Sequence, residues 1–148
     1  MSNHPIPDII APNLRVLFCG INPGLYSAAA ARHFARPGNR FWPALHQAGF
    51  TERLMEPLES GDLLLSGYGI TTLVRRATAT AREIAPSELV AGRRRLARTV
   101  ETHRPRWVAI LGVGAYRTAF GHPRASIVPP PYACLGPRVW VFPRPIGA

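Results

Sequence analysis

One side chain able to do chemistry sits where an apolar run breaks into a turn: Asn22, in Leu17-Phe18-Cys19-Gly20-Ile21-Asn22-Pro23-Gly24. An asparagine amide offers an acceptor oxygen and two N–H donors. It can bond polar groups of either kind but cannot act as a general base near neutral pH. Pro23 disfavours helical geometry at Asn22 and keeps it extended, while Gly20 and Gly24 permit close backbone approach or positive φ. By spacing alone, Asn before Pro is also an ordinary turn residue. The two cysteines, Cys19 and Cys134, are too few for a disulfide framework or a cysteine metal site.

The elements that must position Asn22 begin with the run before it. Val16, Leu17 and Phe18 are strand formers without alternation, as in a parallel strand covered on both faces, and the exit of such a strand is where open α/β sheets bind ligands. Four strands are expected, at Leu14–Cys19, Gly69–Val74, Trp107–Leu111 and Val139–Phe142. Asn39–Ala48 reads as a helix carrying Phe41, Trp42 and Leu45 and closed by Gly49. Ser87–His103 reads as an amphipathic helix, with Leu89, Leu96 and Val100 on an apolar stripe and Arg93, Arg94, Arg95 and Arg98 on a solvated face. Strands alternating with helices imply an α/β fold: a single-domain, open, mainly parallel four-stranded sheet flanked by helices.

Composition bounds the partner. The chain has 148 residues, 47% of them hydrophobic, enough for one domain with a core. Net charge is +10, and all 18 basic residues are arginine. A polyanion, most commonly nucleic acid, is the expected partner, against a plain arginine bias on a solvated surface. No secretory leader or membrane-length apolar run is visible, so a soluble, cytoplasmic protein without membrane contact is expected, and a monomer is the expected state.

Further along, Gly20-Ile21-Asn22-Pro23-Gly24-Leu25 is followed by Arg36-Pro37-Gly38-Asn39-Arg40-Phe41-Trp42 and Gln47-Ala48-Gly49-Phe50. Gly69-Ile70-Thr71, Leu73-Val74, Arg76, the helix Ser87–His103, Ile110-Leu111-Gly112 and Ala115-Tyr116 come after in order. In these segments, over nearly its whole length, the chain resembles the mismatch-specific uracil/thymine-DNA glycosylases. The resemblance implies a uracil-DNA glycosylase-like fold and a partner, double-stranded DNA carrying a mismatched or damaged pyrimidine. It also implies base flipping and hydrolysis of the N-glycosidic bond without metal or organic cofactor.

The same resemblance assigns roles. Asn22 is the catalytic, water-positioning residue, and Phe34 is the ring on which the flipped base stacks, a contact worth about 1–3 kcal/mol per base. Gly20, Ile21 and Ser27 line the pyrimidine site, with backbone amides near Ile21 and Phe34 facing the base. Asn39 and Arg40 shape the pocket or touch phosphate, although a helix cap explains Asn39 equally well. Arg75 and Arg76 are either phosphate contacts or a charged rim. His33 is read as a solvent or turn residue, and Trp42, Trp107 and Tyr116 as core.

The absence of lysine matters for mechanism. Strand-cutting glycosylases form a Schiff base through an amine, most often lysine, so a monofunctional enzyme is expected. In the family, a wedge loop and a final helix follow the fourth strand. Here Arg144-Pro145-Ile146-Gly147-Ala148 stands at that point, so Arg144 and Gly147 are the expected DNA contacts of a loop whose tip and final helix are missing, and weakened activity is expected. Two other readings stay open: a weakly active or inactive DNA-binding remnant of the family, and a nucleotide-binding module built on Gly112 and Gly114. The second lacks the third glycine of the dinucleotide fingerprint, where Arg117 stands.

Overall fold

The computed structural model describes residues 6–120 and 138–142. In chain order these form β1 (Val16–Gly20), α1 (Leu25–Ala30), α2 (Phe41–Gln47), a 3₁₀ segment (Pro57–Ser66) and β2 (Tyr68–Thr72). A 3₁₀ turn (Ala81–Glu83), α3 (Pro86–His103), β3 (Trp107–Leu111), α4 (Val113–Phe120) and β4 (Arg138–Phe142) follow. The strands make one four-stranded parallel sheet in the order β2-β1-β3-β4, with Phe18 of β1 opposite Ile70 of β2 and Ala109 of β3. The chain winds outward from β1 to β2 and then returns to the other side of β1. That reversal opens a crevice at the carboxyl ends of the central strands.

Both faces of the central strands β1 and β3 are covered, which explains their unbroken apolar runs. Leu17 and Cys19 of β1, with Val108 and Ile110 of β3, pack under Leu89, Leu96, Val100, Tyr116 and Phe120 of α3 and α4. Phe18, Ala109 and Leu111 point the other way, into Phe41, Trp42, Leu45 and Leu63. Adjacent strand residues therefore enter different cores, and neither set is free to be polar.

The strand limits differ from those read in the sequence. Leu14 at one end of β1 and Leu73 and Val74 beyond β2 are buried but lie outside the ladder. Burial made them look like strand. Leu73 and Val74 still donate to the Gly20 and Ile21 carbonyls at 2.9 Å each, so the two exits stay tied together past the last ladder pair. The short helices α1 and α4 and the 3₁₀ segment had no clear periodicity to announce them.

One sequence expectation is corrected by α3. Arg95 is not part of a solvated face: its Nη2 donates to the Thr72 and Leu73 carbonyls at 2.7 and 2.6 Å. Helix and strand exit meet closely here because Gly92 has no side chain, and a Cβ on it would lie 2.2 Å from the Leu73 oxygen. Trp42 and Tyr116 are core as expected, whereas Trp107 is only half-buried.

Candidate active site

Asn22 leaves the end of β1 and meets the loop that leaves β2. Its Nδ2 donates to the Arg76 carbonyl and to the Thr78 hydroxyl, both at 2.8 Å. The orientation of the amide is forced. A carbonyl only accepts, and the Thr78 hydroxyl spends its hydrogen on the Thr80 carbonyl at 2.7 Å, so both atoms facing Asn22 are acceptors. With both amide hydrogens committed, Oδ1 is the polar atom of this side chain left for anything that enters the site.

What enters would occupy a cleft of about 240 Å³ walled by Gly20, Asn22, Ser27, Phe34, Asn39 and Thr72, among others. A smaller hollow of about 40 Å³ continues from it past Ile21, Thr78 and Leu111. Set against about 30 Å³ for a water in bulk liquid, the main cleft has room for a small planar ring. Among the described residues, no aspartate or glutamate lines either space. Whatever Oδ1 orients is therefore not deprotonated by a neighbouring carboxylate.

Each wall is built by local chemistry. Phe34 adopts positive φ (52°) and its ring stacks on Phe41 of α2, centroids 4.0 Å apart and planes at 18°. The same ring reaches β1, since a Cβ at Gly20 would lie 3.4 Å from its tip. Ser27 is buried, and its Oγ accepts the Ala35 N–H at 3.1 Å, pinning the loop after α1. Asn39 Oδ1 accepts the Phe41 N–H at 2.8 Å where α2 begins, so Asn39 both organises that helix start and faces the cleft.

His33 corrects the reading of it as a solvent or turn residue. It is buried, lines the cleft, and its Nε2 lies 2.9 Å from the Pro7 carbonyl. Because that carbonyl only accepts, Nε2 carries the hydrogen. Burial is the main cause that lowers the His33 pKa below 6.5, outweighing the opposing effects of Pro7 and Asp8. The imidazole is thus a neutral wall element with its donor already used. Trp42 completes the arrangement by donating its indole N–H to the His33 carbonyl at 3.2 Å.

Comparison with known families decides the affiliation. Residues 7–147 match the family model of the uracil DNA glycosylase superfamily. The chain belongs to that superfamily. Uracil DNA glycosylase superfamily members are N-glycosylases, hydrolases of the bond between base and sugar.

Within this superfamily chain, Gly20, Asn22, Ser27, Phe34 and Asn39 converge on the one cleft, and Ile21 lies on its extension. The basic residues singled out by sequence do not all join them. Arg40 is exposed at the start of α2, outside the cleft lining. Arg76 points away to α3, where it pairs with both carboxylate oxygens of Glu88 at 3.0 and 3.1 Å and donates to the Glu83 carbonyl. Arg75 pairs with Asp8 at 3.3 Å. Arg144, Gly147 and Cys134 lie outside the described residues.

Sequence reasoning passed over Thr78, Arg36 and the cleft-facing role of His33. Arg36 lines the cleft directly, and its place beside Pro37-Gly38-Asn39 was the available signal. Thr78 had none, since its role exists only because the β2 exit folds against the β1 exit.

Proposed function

We propose that this chain is a monofunctional DNA glycosylase that releases uracil, or a related pyrimidine such as thymine or ethenocytosine, mispaired with guanine in double-stranded DNA. The observation that carries the reading is the fixed amide of Asn22, its nitrogen bonded to Arg76 and Thr78 and its Oδ1 left for a water, in a cleft beside the Phe34 ring. The flipped base lies between that ring and the β1 exit, its edge toward the backbone amides near Ile21 and Phe34. Extrusion costs least at a mispair, which favours such sites.

The chemistry fits a bond that breaks before it is attacked. As the glycosidic bond stretches, charge builds as an oxocarbenium-like sugar and a pyrimidine anion. The site has to position a water and stabilise the leaving base, and it needs no strong base to do so. An amide at Asn22, with no carboxylate lining the cleft among the described residues, supports this route. Lacking lysine, the chain forms no Schiff base through a side-chain amine, so an abasic site is the product.

The test is to incubate the protein with duplexes carrying G·U, A·U and G·T pairs and with single-stranded uracil DNA, then to cleave abasic sites with alkali. Base release is expected first at G·U. Asn22→Ala is expected to lower the rate about 10²- to 10³-fold while DNA binding changes little. An unchanged rate removes Asn22 from the reaction. A borohydride-trapped covalent adduct on substrate DNA removes the monofunctional assignment.

A further inference from the structure

Asn22 is oriented by a loop, and a loop orients nothing unless something holds it. The segment from Leu73 to Thr78 straddles Asn22: Val74 N–H donates to the Ile21 carbonyl at 2.9 Å and Thr78 N–H to the Pro23 carbonyl at 3.2 Å. Between these two ties stand Arg75, Arg76 and Ala77, and it is the carbonyl of Arg76 that takes an Asn22 amide hydrogen. Arg75 is tied to Asp8, and α3 braces the rest, at Arg76 itself and at the Thr72–Leu73 root of the loop. Glu88, Gly92 and Arg95, four and then three residues apart, share one helix face.

Each supplies a different contact. Arg95 Nη2 bridges two successive carbonyls, Thr72 and Leu73, where the β2 ladder ends. Gly92 lets the helix backbone touch Leu73, at a distance that excludes any side chain. Glu88 takes the Arg76 guanidinium in a fork and so fixes the residue whose carbonyl faces Asn22. A planar guanidinium on adjacent carbonyls sets the tilt of the peptide between them, and that tilt aims the chain that follows.

We propose that Arg95 is a positioning residue for the reaction: from α3, together with the Glu88–Arg76 pair, it aims the β2-exit loop whose Arg76 carbonyl and Thr78 hydroxyl orient the Asn22 amide. The proposal rests on the catalytic reading of Asn22 given above. It also gives the Arg76 side chain an internal partner in place of a phosphate.

The experiment pairs single-turnover base release at saturating protein with the Kd for the same G·U duplex and with NMR exchange of the Asn22 side-chain amide hydrogens. Arg95→Met is expected to slow saturated base release about 10- to 100-fold, with Kd little changed and faster amide exchange. Arg95→Lys, which returns a cation with N–H donors, recovers part of the rate. A second route avoids the core: Arg76→Glu and Glu88→Arg each slow the reaction, and the two together recover part of the rate, which a lost phosphate contact would not produce; the bonds to the Glu83 carbonyl and from the Ala85 N–H are not returned by the swap. A folded Arg95→Met protein with native rate and native amide exchange overturns the proposal, as does a loss confined to Kd. If the native protein releases no base from any duplex, the functional reading fails, and the exchange measurement still decides whether Arg95 orders Asn22.

Discussion

Asn22 has the chemistry of an orienting group because its partners leave the amide one way to sit. Thr78 is central to that restriction, since it is buried and its hydroxyl both accepts from Asn22 and donates to Thr80. Thr78→Val keeps the shape and removes both bonds, leaving one amide hydrogen without its partner, a change costing about 1–3 kcal/mol. Thermal melts should show the loss, and base release should fall with it; a rate equal to native would mean that the Arg76 carbonyl alone holds the amide. His33 makes a separate prediction. Desolvation lowers its pKa in the folded chain below the ordinary 6.5, so on acidification the unfolded chain takes up a proton first. The stability that depends on a neutral imidazole is complete above that value and is lost as pH falls below it toward the folded pKa. Gln at this position keeps a donor for the Pro7 carbonyl and does not titrate. Between about pH 7.5 and about pH 5, the native melting temperature should therefore fall more than that of His33→Gln. Parallel pH profiles would show that His33 is not the group being titrated.

Elements hold these residues by backbone contacts that few substitutions tolerate. The segment before β1 pairs with the outer edge of β2 through two 2.9 Å bonds between Ile9 and Ile70, and the same segment brings Pro7 to His33 and Asp8 to Arg75. That pairing depends on Gly69, where a Cβ would lie 2.3 Å from the Ile9 oxygen. Gly69→Ala should lower stability by about 1–3 kcal/mol and expose the N-terminal residues to protease before the rest of the chain; native melting and digestion would show that the edge accommodates a methyl group. The contrast with Asn22 explains what could be read in advance. Strands β1 and β3 were legible because burial on both faces leaves apolar runs, and the cleft residues Asn22, Phe34 and Asn39 were legible because they sit in dense turn motifs. Arg95 was misread because helical periodicity assigns a residue to a face without saying what that face meets. His33 was misread for the opposite reason: it is buried and bonded to Pro7 and Trp42, both distant enough in sequence that no local pattern announces it.

At the scale of the whole molecule, a charge of +10 suits a polyanionic partner without saying where one would dock. The structure divides the arginines by what they already touch. Arg53 pairs with Glu59 and Asp62, Arg75 with Asp8, Arg76 with Glu88, and Arg95 with backbone carbonyls. Arg36 and Arg40, by contrast, have no ion-pair partner among the described residues, and they flank the cleft on the stretch between Phe34 and α2. Under the proposed function, a duplex whose extruded base fills the cleft would bring its phosphates past this stretch, whereas exposed Arg94 and Arg98 lie on α3. Each phosphate contact contributes about 0.9 to the slope of log K against log salt. The double variant Arg36→Ala with Arg40→Ala should therefore flatten the slope by about 1.8, measured by anisotropy on a uracil-containing duplex across a salt series. Arg94→Ala with Arg98→Ala carries the same change in net charge and should leave the slope near native. Equal flattening by both pairs would mean that the charge acts as a uniform coat, and the cleft-side arginines would then have no special place in holding DNA.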